Sequence, residues 1–139
     1  MPGGVQVPVA SLPALALLKI VCWRDRHYKA PRKDAQDLQM ILQHYLAAGN
    51  EPRLWDEFVD WTQQDDFDYE SAGPRMLGQD ISQLMNRHDL SHVIRIISDQ
   101  THPDSPARLA GEMNPTDPDR ALTWLKAMLH ALKEETPKP

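Results

Sequence analysis

Cysteine is nearly missing from this chain: Cys22 is the only one in 139 residues. One thiol cannot close an internal disulfide, so a reducing compartment is expected. Cys22 stands in an apolar run, where a free cysteine behaves as a small buried hydrophobe. Long apolar runs are missing as well. The longest, Leu12 to Trp23, is interrupted by Lys19 and is too short to cross a bilayer. The N-terminus, Met1-Pro2-Gly3-Gly4, has no basic stretch leading into an apolar core and a small-residue cleavage site. No signal peptide is read there, and a cytoplasmic location is expected. Nor is there an excess of positive charge. A net charge of −5 gives no general attraction to nucleic-acid phosphates or anionic lipid, although a local basic patch is compatible with it. A membrane partner is not expected, and nucleic acid is left open. Internal repeats and low-complexity segments are absent.

What is present describes an ordinary folded domain. Hydrophobic residues make up 41% and charged residues 25%, a balance that argues against disorder. The length suits a single domain over 1–139, able to bury most of its apolar surface without disulfides or metal. The pattern of apolar spacing predicts an all-α, multi-helix bundle of about six or seven helices, with a short extended segment at the N-terminus. Residues 5–9 alternate like a strand, and Pro8 confines such a strand to a sheet edge. Residues 1–10 are therefore an extended lead-in that something before Met1, or a partner, would pair with.

The first helix should run from Ser11, a good cap, to about His27, with Pro13 in its first turn. It is apolar nearly all round, which places it centrally or at an interface. A turn over 28–32 precedes a helix from Lys33 to Ala48 that stops at Gly49. A third starts near Asn50 and carries Leu54, Trp55, Phe58, Val59 and Thr62 at helical spacing. A fourth covers about Glu70 to Arg87, with Met76, Leu77, Ile81, Leu84 and Met85 facing inward. A fifth follows an Asp89 cap. Ser105-Pro106 and Asp117-Pro118 each read as a cap and first position, for a short helix ending near Met113 and for the last helix. The tail over 134–139 should fray. The four tryptophans are most simply core.

The chemistry-bearing residues concentrate between 17 and 38. Lys19 lies in an otherwise apolar helix, where a cation needs a partner or an anionic ligand. Lys19 and Arg26 are two helical turns apart and share a face. Asp34 falls inside the apolar stripe of the next helix and Asp37 at its edge, and Arg24, Arg26, Arg32 and Lys33 lie nearby as cations. Two readings are open: a structural ion-pair cluster, or a site that meets a ligand.

The second reading is sharpened by a resemblance. Leu17-Leu18-Lys19 followed by Arg24 and Arg26, and then Lys33-Asp34-Ala35 with Asp37-Leu38, resembles the helical motif of nucleotidyltransferases related to the abortive-infection toxins. The run from Ser71 to Ile81 resembles a second stretch found in some members. Together they cover most of residues 12–81. The resemblance implies that this chain is the C-terminal helical half of such an enzyme. In that family an N-terminal α/β half comes first, with a Gly-Ser turn and two acidic residues that hold magnesium. The complete enzyme moves a nucleotide from a nucleoside triphosphate to an acceptor. On that resemblance Lys19 faces the nucleotide phosphates, Lys33, Asp34 and Asp37 form the second motif cluster, and Arg26 supports it. No catalytic residue and no metal ligand is assigned to this chain, and magnesium and the triphosphate are implied only for the complete enzyme. The rival is a non-catalytic helical protein-interaction domain.

The sequence departs from the family at the decisive point. It has no Gly-Ser turn followed by acidic residues on a strand. Its Asp-x-Asp triplets, Asp66-Phe67-Asp68 and Asp117-Pro118-Asp119, come after the lysine motif without a flanking strand. Gly73 to Asp80 has the glycine spacing of a phosphate loop, but Gln79 stands where lysine is required, so Gly78 is better read as a close helix contact. Asp80 also falls in an apolar stripe and should have a polar partner. His88 and His92 are one turn apart, with no third ligand evident for a metal. The expected partners are a second copy of the chain or the missing N-terminal half, with an antitoxin-type protein as a further candidate.

Overall fold

The computed structural model describes residues 11–26 and 31–134, and every strand-or-helix element among them is helical. The order is α1 (Leu12–Arg26), α2 (Pro31–His44), a kinked turn over Leu46–Asn50, α3 (Glu51–Leu54), α4 (Val59–Thr62), α5 (Tyr69–Leu84), α6 (Arg87–Thr101), α7 (Arg108–Met113) and α8 (Pro118–Lys133). The expected all-α bundle is what the chain forms. The lead-in over 1–10, including the strand expected at 5–9, lies outside the described residues. So do 27–30 and 135–139. No helix among the described residues is long and apolar enough to cross a membrane.

Local chemistry sets several of these boundaries. Ser11 Oγ accepts from the Ala14 amide at 3.3 Å, and its carbonyl accepts from Leu15 N at 2.9 Å, which satisfies donors that a bare helix start would leave unpaired. Asp117 caps α8 by accepting from Arg120 N at 3.2 Å, with Pro118 in the first turn. Asp68 caps α5, accepting from Glu70 N at 3.2 Å and from Ser71 Oγ at 2.8 Å. The two Asp-x-Asp triplets thus each supply a helix cap.

The centre of the bundle is the pairing of α5 with α8, the two 16-residue helices. Met76, Leu77 and Ile81 meet a core that includes Leu125, Met128 and Leu132, all fully buried. α1 lies along α2 and also touches α5 and α6, burying Ala16, Ile20 and Trp23. α6 and α7 close over α8, and α7 also packs on α2. The expectation that the first helix is central holds for that face, while Leu18 on another face is exposed.

Several sequence expectations are corrected. α2 begins at Pro31, two residues early, and ends at His44, because the chain kinks over 46–50 before the expected stop at Gly49. Gly49 does take the left-handed conformation, φ 95°, that favours glycine. The continuous third helix is two single turns, α3 and α4. Phe58 leaves helical geometry (φ −112°, ψ 24°), and its amide bonds back to the Arg53 carbonyl at 3.0 Å. Trp55 then turns outward and is 52% exposed, so only Trp23 and Trp124 of the four tryptophans are fully buried. α6 is capped by Asn86, whose Oδ1 accepts from Asp89 N at 2.8 Å, making Asp89 a first-turn residue and not the cap. α7 starts at Arg108, not Pro106: Ser105 Oγ closes a turn on Ala107 N at 2.9 Å, and Ala107 sits at φ 54°. Leu84, expected inward, is the exposed last residue of α5.

Gly78 shows why α5 and α8 can pair so closely. A Cβ there would overlap the Met128 carbonyl oxygen and come within 3.1 Å of the Ala131 Cβ. Gly73, one and a half turns earlier, has room: its Cβ would sit 3.5 Å from Leu46 Cγ and 3.6 Å from the Leu42 carbonyl. Gly78→Ala should therefore destabilise the fold by about 2 kcal/mol, because a backbone oxygen cannot step aside. Gly73→Ala should stabilise it by about 0.5–1 kcal/mol through helix propensity. Urea unfolding of both variants checks the contrast, and equal stabilities would show that the α5–α8 contact is not close at Gly78.

Candidate functional site

Lys19, on α1, reaches across to the first two turns of α2. Its Nζ lies 2.7 Å from Asp37 Oδ2 and 3.7 Å from Asp34 Oδ1. Lys33 approaches the same Asp37 oxygen at 3.5 Å from one turn earlier on α2. Four of the five residues singled out by the sequence, Lys19, Lys33, Asp34 and Asp37, are thus brought to one place. The side chain of the fifth, Arg26 at the end of α1, lies outside the described residues.

The local fold explains the convergence. Helical spacing puts Asp34 and Asp37 on adjacent positions of one face, and α2 turns that face toward α1 because Ala35, Leu38, Ile41 and Leu42 are its buried stripe. Asp34 is 1% exposed, Lys19 is partly covered and Lys33 is exposed. The cation that the sequence marked as needing a partner therefore has two carboxylates. The hydrogen bond with Asp37 raises the Lys19 pKa above the ordinary lysine value, against partial burial that works the other way. The same bond holds the Asp37 carboxyl below the usual carboxylate range, with Lys33 adding to the effect.

A second polar group escaped sequence reading. Arg53, on α3, donates two parallel hydrogen bonds to Asp80 on α5, Nη1 to Oδ2 and Nη2 to Oδ1, both at 2.8 Å. Such a fork is the strong form of an ion pair. The Tyr45 hydroxyl donates a short hydrogen bond to the same Asp80 Oδ2. Asn50 ties the turn in: its Nδ2 donates to the Tyr45 carbonyl at 2.8 Å, and its Oδ1 accepts from Arg53 Nη1 at 2.9 Å. Burial, reinforced by the Asp80 carboxylate, pushes the Tyr45 phenol well up, and the hydrogen bond to Asp80 raises the Arg53 guanidinium further. The expected polar partner of Asp80 is real, and it is supplied by Arg53 and Tyr45 together. Asp80 at an inward position was the only signal, and it could not name a partner 27 residues away.

The remaining candidates separate. Gly73 to Asp80 lies within α5, so it forms no phosphate loop. His88 and His92 are exposed, and His92 Nε2 is 3.1 Å from Arg24 Nη1. Cys22 is half-buried. Among the described residues no group of three His, Cys, Asp or Glu side chains is placed to hold a metal ion.

The Lys19 group can be tested through stability. Asp34→Ala leaves Lys19 with one carboxylate and an empty buried position, and should cost about 3 kcal/mol by urea unfolding, the low end for breaking a buried pair. An unchanged midpoint would mean that Asp34 is not part of the packed α1–α2 junction. Asp37→Asn tests the charge. A depressed carboxyl contributes stability above its unfolded pKa, about 3.9, and loses that contribution as pH falls through the lower folded value. Lys19, shifted up, contributes below its unfolded value and loses it only on the alkaline side. The wild-type advantage over Asp37→Asn should hold across neutral pH and shrink in strong acid, as read from melting temperatures between the two limits.

No family model, no curated protein and no solved structure matches this chain.

Proposed function

We propose that this chain is the helical half of a nucleotidyltransferase-like protein, contributing contacts to nucleotide phosphates and acceptor but not catalytically complete by itself. The supporting observation is the convergence of Lys19, Lys33, Asp34 and Asp37 from two helices. These are the residues that the resemblance to the abortive-infection nucleotidyltransferases assigns to nucleotide contact. Lys19 has three N–H donors. Asp37 takes one at 2.7 Å, while Asp34 at 3.7 Å acts mainly through charge, so donors remain for a phosphate oxygen. Exposed Lys33 adds a second cation beside it. In this reading Asp34 and Asp37 are positioning residues that hold Lys19 charged and aimed.

Magnesium does not fit the cluster. Both carboxylates face ammonium groups, and a divalent ion there would have to displace them. The metal-holding acids would belong to another half of the protein, as in the family, and that half or a second copy would cover the exposed Leu18 on α1.

A second reading has its own support. Among the described residues the cluster sets two cations against two carboxylates, which is what a structural junction in a non-catalytic interaction domain requires.

One experiment separates them. The purified chain should incorporate no labelled nucleotide from any triphosphate with magnesium, yet a triphosphate should shift amide resonances around Lys19 and Lys33 in NMR titration. Lys33→Gln, at an exposed position, should weaken that binding several-fold with no change in melting temperature. Shifts absent from the α1–α2 junction with every triphosphate would leave the interaction-domain reading in place.

A further inference from the structure

A cavity of about 380 Å³ opens where the end of α1 meets α6 and the start of α7. It is separate from the Lys19–Asp37 contact and draws its charge from other residues. Arg24 comes from α1, Arg95 from α6 and Arg108 from α7, with His92 beside them and Asp99 as the only carboxylate among the described lining residues. Three guanidinium groups from three elements gathered at one opening, in a chain of net charge −5, run against the overall electrostatics. Glu112 pairs with one of them, Arg108, from outside the lining, and the opening keeps a cluster of guanidinium donors that suits an anion.

The hydrogen bonds sharpen the picture. Arg24 Nη1 lies 3.1 Å from His92 Nε2, and a guanidinium only donates, so this pair places the ring nitrogen as acceptor. Arg108 leans on Glu112 through its Nε at 3.8 Å, which leaves the outer edge of its fork uncommitted. Among the described residues the Arg95 side chain has no ion pair and no hydrogen bond, and it is exposed. Gln100 spends its Oε1 on the Leu109 amide at 3.0 Å, so its amide NH2 is the end left to donate. The wall is thus rich in donors. Asp99 supplies an acceptor. The buried apolar part of the lining, Trp23 and Ile96, forms the floor, and the indole is fixed by its Nε1 donating to Glu112 Oε1 at 2.7 Å.

We propose that this cavity binds a small phosphate monoester with a hydroxylated ring, of the sugar or nucleoside monophosphate class. The arginine forks match a doubly charged phosphate, which they can grip with paired hydrogen bonds. The apolar floor takes the ring, and Asp99 accepts from a ring hydroxyl. The volume suits one such molecule and falls in the range of small-molecule sites. The assignment does not rest on nucleotidyl transfer, and none of its residues belongs to the Lys19 group.

The test is an NMR titration of the full chain with ribose 5-phosphate and adenosine monophosphate, with ribose, adenosine and inorganic phosphate in parallel. Both monophosphates should shift the Trp23 indole N–H and the amides of 95–100 and 108–109 in a saturable way, while ribose and adenosine shift none of them. Arg95→Gln, at an exposed site, should keep the wild-type melting temperature and weaken monophosphate binding about tenfold, the worth of one charge-assisted hydrogen bond. Three results would overturn the proposal: adenosine binding as well as its monophosphate, inorganic phosphate binding as tightly as ribose 5-phosphate, or an Arg95→Gln variant with unchanged affinity. Shifts confined to Lys19 and Lys33 would also overturn it while leaving the nucleotidyltransferase reading standing.

Discussion

At Gly78 the backbone of α5 meets the Met128 carbonyl of α8 with no side chain between them. The other helices take their places from that contact. Because α5 and α8 press together so tightly, their remaining apolar faces form one surface, on which α1, α6 and α2 lay their own stripes. A bulkier residue at this one position would push the two longest helices apart and open voids along both, and close-packed interiors tolerate such voids poorly. The kink at Gly49 matters less, since its glycine meets nothing within 4 Å and serves only a backbone conformation.

Two ionic groups then fix how the outer elements attach. The Lys19 group joins α1 to α2, and the Arg53–Asp80–Tyr45 group joins α3 and the end of α2 to α5. Neither is an efficient source of net stability, because each charge gives up water to reach its partner. Their value is in direction: apolar stripes allow helices to slide and rotate, whereas a carboxylate at Asp80 is satisfied only when Arg53 and Tyr45 arrive together. The cavity at the end of α1 differs in kind, since its cations outnumber the carboxylate in its lining.

Much of this was legible in the residues. Ser11 and the Asp117-Pro118 pair announced helix starts because capping is local chemistry between neighbours in sequence. Gly78 was legible as a close contact, and Lys19 and Asp80 as polar groups at inward positions in need of partners. The partners of Asp80 were not legible, because Arg53 and Tyr45 reach it through tertiary packing. The break at 55–58 was hidden for a related reason. Leu54, Trp55, Phe58 and Val59 keep helical spacing in sequence even though the chain leaves the helix there, and spacing alone does not register a turn made with ordinary residues. Ala107 hides its left-handed φ in the same way, since nothing about alanine advertises it. The four cluster residues were read as a set, but whether they serve a ligand or a junction depends on chemistry that spacing does not carry.

The stretch from Glu51 to Asp68 has a consequence of its own for how the molecule opens. Leu54 is its only fully buried side chain, and α3 and α4 are single turns that rest mainly on each other and on the kinked turn. Its firmest anchor is the Arg53 fork on Asp80. Phe58, Trp61 and Phe67 are only partly buried against the core, so this stretch should open before the fully buried α5–α8 pair gives way. Its amides should exchange with solvent through that partial opening, and a protease should find its first cut between α3 and α4 while the rest of the bundle is still folded.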